Sequence, residues 1–188
     1  MAAKRYTDFS SFGDLLYYSY ANLNMLCYAM QEKKEHYDRS CYMVRSKAYK
    51  AYREGRWRIH DLLVNNVAKI VSANVCWYCG EVFDKKDELT IDHVFPRSKG
   101  GDNSMDNIIM VCKHCNSSKG SMDLFEWYVA KRQVFPPIDI LQHYLKQIYL
   151  FSVEKGLLSK QCDEIEQMKL PFNYRYIPLD YPQPEYYK

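Results

Sequence analysis

The residues best suited to chemistry in this chain lie between Cys76 and Gly120. Two Cys-x-x-Cys pairs, Cys76/Cys79 and Cys112/Cys115, frame that stretch. A thiolate is a soft ligand, and two thiolates separated by two residues fit one tetrahedral ion from a single turn. Two such pairs complete a closed site, so the four cysteines predict a structural Zn2+. The interval from Cys79 to Cys112 is longer than in a simple zinc ribbon, so something is inserted between the knuckles. The insert carries Asp92-His93, then Pro96-Arg97-Ser98-Lys99-Gly100-Gly101, then Asn107, and Asn116 follows directly on Cys115. An imidazole titrates near neutral pH and can take a proton from water, which suits His93 to the work of a general base. In a regular strand neighbouring side chains face opposite sides, so Asp92 and His93 can hold different roles.

As an ordered set, Cys76-Trp77-Tyr78-Cys79, Asp92-His93, the glycine loop, Asn107 and Cys112-Lys113-His114-Cys115-Asn116-Ser117-Ser118-Lys119-Gly120 resemble the HNH endonuclease superfamily. The resemblance covers about Val75 to Gly120, roughly a quarter of the chain. It implies a ββα-metal core, in which a strand bears the Asp-His pair, a loop bears an Asn and a helix bears a final His or Asn. It further implies that Asp92 and Asn116 are ligands of a divalent ion and that Asn107 orients the imidazole of His93. Phosphodiester hydrolysis needs a base to activate water, a cation on the phosphate and an outlet for developing negative charge. Asn116 stands where many relatives have histidine, which makes this an H-N-N variant. An amide oxygen is a harder ligand than imidazole and suits Mg2+ or Mn2+, so a hard catalytic ion is expected beside the structural zinc. His114 is not a substitute by register and reads as a solvated knuckle residue or a phosphate contact. Lys119, Arg97 and Lys99 are candidates to hold phosphates, with ordinary solvated surface charge as the competing reading.

The elements that must position these residues follow from periodicity. Leu89–Phe95 and Asn107–Cys112 are short and β-prone, with turn-forming Gly100-Gly101-Asp102-Asn103 between them, so they read as a β-hairpin with a long loop. A helix follows through Asn116 and Lys119, and another from about Met122 to Arg132. Before the cysteine segment three helices are expected: Phe12 to about Lys33 with Ser10 or Ser11 as cap, Glu35 to Arg53 with Gly55 just past its end, and Trp57 to Ser72. After Pro136-Pro137 a helix is expected from Ile138 to Phe151, and a short one from a Ser159 cap to Met168. The tail from Pro171, rich in tyrosine and proline, is expected to wrap extended over the body or to be partly mobile.

The expected fold is mainly α with a small ββα-metal core and a structural zinc site, an α+β arrangement. Residues 1–74 are read as a basic helical region, 75–133 as the nuclease core, and 134–188 as C-terminal helices with a Tyr/Pro-rich tail packed on the core. The 188 residues suffice for one good core, and 47% hydrophobic with 26% charged residues excludes a fibrous or disordered chain. No apolar run reaches a membrane span and the first residues lack a signal-peptide core, so a cytoplasmic protein is expected. Of the seven cysteines, Cys27, Cys41 and Cys162 are isolated and read as small buried hydrophobes.

Lys and Arg outnumber Asp and Glu 12 to 7 over residues 1–70 but are outnumbered 6 to 9 over residues 71–130. The basic excess therefore lies outside the chemical segment, where it can hold a polyanion. Arg45, Lys47, Lys50, Arg53, Arg56 and Arg58, interleaved with Tyr49, Tyr52 and Trp57, form the densest run. Arg45, Lys50 and Arg53 are the candidates there for backbone contact, against the plainer reading of a solvated helix face.

The expected activity is metal-dependent endonucleolytic cleavage of nucleic acid, DNA favoured over RNA. Two alternatives stand beside it: a non-catalytic zinc module that binds nucleic acid or a partner, and a nuclease effector subunit of a larger defence or restriction complex. A homodimer or a partner subunit is compatible with each.

Overall fold

The first α-helix, α1 (Phe12–Gln31), begins where Ser11 Oγ accepts from the Asp14 amide at 3.1 Å. A helix leaves its first amides without intrahelical acceptors. Here Phe12 and Gly13 donate theirs to Lys160 O and Leu158 O, at 2.8 and 2.9 Å. A Cβ on Gly13 would stand 2.7 Å from that Leu158 oxygen, so glycine is what allows the approach. The computed structural model describes residues 4–59, 74–85 and 88–187. The helix expected from Trp57 to Ser72 lies outside the described residues from position 60 onward.

The second helix, α2 (Arg39–Arg53), starts later than periodicity suggested because Asp38 is its cap, its Oδ1 accepting from the Cys41 amide at 3.1 Å. Leu15, Leu16, Leu23 and Leu26 of α1 and Ala48, Ala51 and Tyr52 of α2 are buried. The small alanines let the two backbones approach, and Tyr17 stacks on Tyr52 with centroids 6.1 Å apart.

The chain divides into two compact units. One comprises Met1–Leu62, Ile148–Met168 and Ile177–Lys188, the other Leu63–Gln147 and Lys169–Tyr176. In the first, the tail is packed rather than loose. Asn22 Nδ2 donates to Leu179 O at 2.7 Å, Tyr37 Oη to Pro182 O at 2.7 Å, and Ser19 meets Tyr181 at 3.2 Å, with Ile177 and Leu179 buried.

The second unit holds the sheet. Strand β1 (Leu89–His93) pairs antiparallel with β2 (Ile108–Cys112), so Asp92 faces Ile109 and His93 faces Ile108 across the ladder. Helix α3 (Lys113–Lys119) follows β2 without a loop, completing a ββα unit in an otherwise helical fold. A lone hairpin is marginal in water, so this one needs its neighbours. α4 (Leu124–Trp127) is capped by Asp123 and continues as a π turn over Tyr128–Arg132, which Gln133 ends at φ 54°. One helix was expected there; the widened second turn is a tertiary outcome. Helix α5 (Ile138–Glu154) adds Ile140, Leu141 and Tyr144 to this core, where Tyr144 meets Phe125 at 4.7 Å and Phe95 at 5.5 Å.

The last helix, α6 (Cys162–Glu166), is shorter than expected. Its boundary residue is Gln161 rather than Ser159, and Glu164 reaches back to the Gln161 amide at 2.8 Å. No helix among the described residues is long and apolar enough to cross a membrane.

Candidate metal centre and active site

The first knuckle is a tight turn. Gly80, at φ 76°, donates its amide to Cys76 O, and the Cys76 amide donates to Glu81 O, both at 2.8 Å. The Trp77 amide donates to Met110 O at 3.1 Å, which fastens this turn to β2 beside the second knuckle. There Cys112 closes β2 and its Sγ accepts from the Cys115 amide at 3.4 Å.

All four sulfurs lie within 4.8 Å of one another. Tetrahedral zinc with Zn–S bonds of about 2.3 Å asks for sulfurs about 3.8 Å apart, so the donor set fits the ion. Burial pushes the Cys115 thiol well up, and the neighbouring Cys76 sulfur adds to the rise. Burial opposes ionisation of Cys76 too, yet amide hydrogen bonds from Cys112 and Cys79 outweigh it and bring that thiol below its usual value. The two opposed shifts come from one cluster of crowded sulfurs, the kind of donor set that a divalent cation gathers. Arg132 contributes from outside the four: its Nη1 donates to Cys115 Sγ at 3.5 Å, and its guanidinium lies 5.5 Å from the Trp127 ring centroid. Nothing in the sequence distinguished Arg132 from any other basic residue at a helix end.

The second centre is built on the free edge of β1. Asn116 Nδ2 donates to Ile91 O at 3.1 Å and Lys119 Nζ to His93 O at 3.1 Å. Residues three apart on a helix share a face, so α3 grips the strand at two carbonyls two residues apart and leaves Asp92 between them. Asp92 is buried, and its Oδ2 accepts from Tyr78 Oη at 2.8 Å and from Lys119 Nζ at 2.9 Å. Burial first, and the Asp92 charge second, push the Tyr78 hydroxyl far up, which keeps it a donor. Among the described residues, Oδ1 of Asp92 and Oδ1 of Asn116 have no hydrogen-bond partner. These are hard oxygens of the type a small divalent cation takes.

Asp92 is buried and His93 half-exposed, the opposed placement that strand alternation predicts. Asn107 does not touch the imidazole. It is buried, with Oδ1 accepting from the Phe95 amide at 2.7 Å and Nδ2 donating to Phe95 O at 3.1 Å and Asp102 O at 2.8 Å. It clasps the two ends of the loop that follows His93. The glycine pair now has a cause at each position. Gly100 adopts φ 94°, and a Cβ on Gly101 would stand 1.9 Å from Phe95 O. The residue that meets the imidazole is Asn103, its Oδ1 2.9 Å from His93 Nε2. Its sequence context, Gly-Gly-Asp-Asn, reads as turn chemistry alone.

The basic candidates are dispersed. Arg97 and Lys99 are exposed on a 3-10 turn of the same loop, and His114 is exposed on α3. Lys119, by sequence a candidate phosphate contact, has a buried side chain whose ammonium lies 2.9 Å from the buried Asp92 carboxylate and compensates its charge. Arg45, Lys50 and Arg53 belong to the other unit and have partners within it. Arg45 lies over the Tyr42 and Tyr18 rings, Lys50 is 3.8 Å from Glu54, and Arg53 is 3.0 Å from Asp14. Tyr52 of the aromatic interleaving is core, while Trp57 is exposed.

Residues 76–122 match the family model described as HNH endonuclease. This segment is an HNH domain. The matched span contains all four cysteines, the Asp92-His93 pair, Asn107, Asn116 and Lys119. Neither the curated proteins nor the solved structures gave a match. For residues 76–122 the match indicates a nuclease-type domain, whose implied substrate is nucleic acid.

Proposed function

We propose that the chain is a metal-dependent endonuclease that hydrolyses phosphodiester bonds, in DNA by preference over RNA. The observation that carries this reading is the grip of α3 on β1, through Asn116 and Lys119, which flanks Asp92 and leaves one oxygen of Asp92 and one of Asn116 without a hydrogen-bond partner among the described residues. Asp92 and Asn116 hold a Mg2+ or Mn2+ ion, and His93 takes the proton of the attacking water. A hard cation held there supplies positive charge to a phosphate oxygen and to the leaving oxygen. Asn107 keeps the loop closed behind His93, and exposed Arg97 and Lys99 meet the substrate backbone. Cys76, Cys79, Cys112 and Cys115 bind a zinc that fixes the knuckles. The working core is 75–133, flanked by 1–74 and 134–188, with Arg45, Lys50 and Arg53 as further backbone contacts.

Cleavage of supercoiled plasmid and of RNA, with Mg2+ or Mn2+ against chelator, tests the proposal with wild type and His93→Ala side by side. Metal-dependent cutting that His93→Ala abolishes, at unchanged zinc content and folding, is the expected result; equal cutting by the variant removes His93 from the role. One observation favours a second reading, a zinc module that binds without cutting: Lys119 and Tyr78 already satisfy Asp92 Oδ2 as they would a structural carboxylate. The absence of cleavage with any ion, alongside retained nucleic-acid binding, would establish that reading instead.

A further inference from the structure

We propose that Asn103 is the positioning residue of His93, holding the imidazole proton on Nε2 so that Nδ1 is the basic nitrogen. The catalytic consequence rests on the reading of His93 as the base; the contact itself does not.

His93 is half-exposed on the last position of β1, so packing alone does not set the orientation of its ring. The contact that does so is Nε2 to Asn103 Oδ1 at 2.9 Å. An amide carbonyl only accepts, so the ring nitrogen facing it carries the hydrogen and the other keeps its lone pair.

The backbone that brings Asn103 there is fixed on both sides. Before it, Asp102 O accepts from Asn107 Nδ2 at 2.8 Å, and the Gly101 amide donates to Pro96 O at 3.1 Å. After it, Ser104 closes on Asp102 Oδ1 through its amide at 3.2 Å and its hydroxyl at 2.8 Å. Asn103 is itself exposed, so its side chain can be changed while the loop stays clasped by Asn107. The division of labour is therefore that Asn107 sets the loop and Asn103 sets the ring. A side-chain orienter of this kind adds selectivity between the two neutral tautomers that a free imidazole lacks.

The test uses the full chain with 15N-labelled histidine, His93 being assigned by its loss in His93→Ala. At a pH where the ring is neutral, wild type should show an Nε2–H proton protected from exchange with water. Asn103→Ala should lose that protection, and Asn103→Asp, which keeps the acceptor, should retain it. In plasmid cleavage Asn103→Ala should lower kcat about tenfold with KM little changed, the scale of one neutral hydrogen bond, and Asn103→Asp should recover most of it. An Nδ1–H signal in wild type, or an unchanged spectrum in Asn103→Ala, overturns the proposal. A changed spectrum with unchanged kcat overturns its catalytic part, while His93→Ala in the same assay tests the base assignment separately. If no variant cuts at all, the spectrum alone decides whether Asn103 positions the ring, while the nuclease reading fails separately.

Discussion

Lys119 Nζ lies 2.9 Å from Asp92 Oδ2, and neither side chain is appreciably exposed. The pair joins the helix of the ββα unit to the strand that bears the Asp-His pair, and the same ammonium also donates to His93 O. Breaking a buried ion pair on one side leaves the other charge unpaired in a low-dielectric site, at a cost of about 3–5 kcal/mol. Lys119→Met should therefore lower unfolding stability by about 3 kcal/mol in urea titration, with nucleic-acid affinity falling as a consequence of misfolding. The Asp92→Asn/Lys119→Met double variant should recover a large part of the loss. Equal stability of Lys119→Met and wild type would show that the pair does not hold the strand.

Four sulfurs within 4.8 Å of one another make zinc the expected occupant of the knuckles. Prolonged treatment with a strong chelator should release one zinc per chain, measured by elemental analysis, and disorder the segment from residue 74 to 85 in an amide spectrum. Cys115→Ser should do the same, since a structural zinc site supplies folding energy directly. Arg132→Met should bind zinc more weakly, on the order of tenfold, because the hydrogen bond to Cys115 is an outer support of the ligand.

Gly100 and Gly101 should respond differently to one methyl group. Gly100 has open space around its Cβ position but a φ of 94°, so Gly100→Ala should cost about 1–2 kcal/mol of backbone strain. Gly101→Ala puts a carbon 1.9 Å from Phe95 O and 2.9 Å from Asn107 Nδ2, so it must open the clasp that Asn107 makes. Denaturant titration should rank Gly101→Ala below Gly100→Ala, and only the former should weaken the Asn103–His93 contact. The reverse order would contradict the clasp.

On the proposed reading, one side chain sets the choice of the second ion. Asn116 offers an amide oxygen, and replacing it with imidazole moves preference toward borderline metals. Asn116→His should lose activity with Mg2+ and gain relative activity with Ni2+ or Co2+ in a plasmid assay across a metal panel. An unchanged metal profile would remove Asn116 from the ligand set.

His143 sets an acid limit on stability. Burial is the main cause that brings its pKa from 6.5 to about 4, and its Nε2 has no hydrogen-bond partner among the described residues. Above pH 6.5 the ring is neutral whether the chain is folded or not. As pH falls through that range the unfolded chain binds a proton that the folded chain declines, so stability drops between about 6.5 and about 4, by up to about 3 kcal/mol. His143→Gln should flatten this part of the stability profile. Because the Asp106 charge is the main influence on His143 after burial and Asp106 adjoins Asn107, the acid loss should begin in that turn.

The sequence by itself determined the parts whose residue types admit few alternatives. Two Cys-x-x-Cys pairs have one economical use, and β-prone runs on either side of a glycine turn have one economical pairing, so the knuckles, the hairpin and α3 were legible. The cap of α1 was legible to within two adjacent serines. Ser11 was among the choices, whereas Asp38 and Gln161 were not foreseen, since several polar residues precede each of those helices.

Only the tertiary structure decided which side chains meet. Lys119 stood out in the sequence as a candidate phosphate contact, and only the packing of α3 on β1 brought its ammonium to Asp92. Asn103 looked like turn material until the Asn107 clasp brought it to His93, ten positions earlier in the chain. Arg132 gained its place on Cys115 when the end of α4 widened into a π turn. In each case the deciding quantity is a distance between residues far apart along the chain, which periodicity and spacing do not contain.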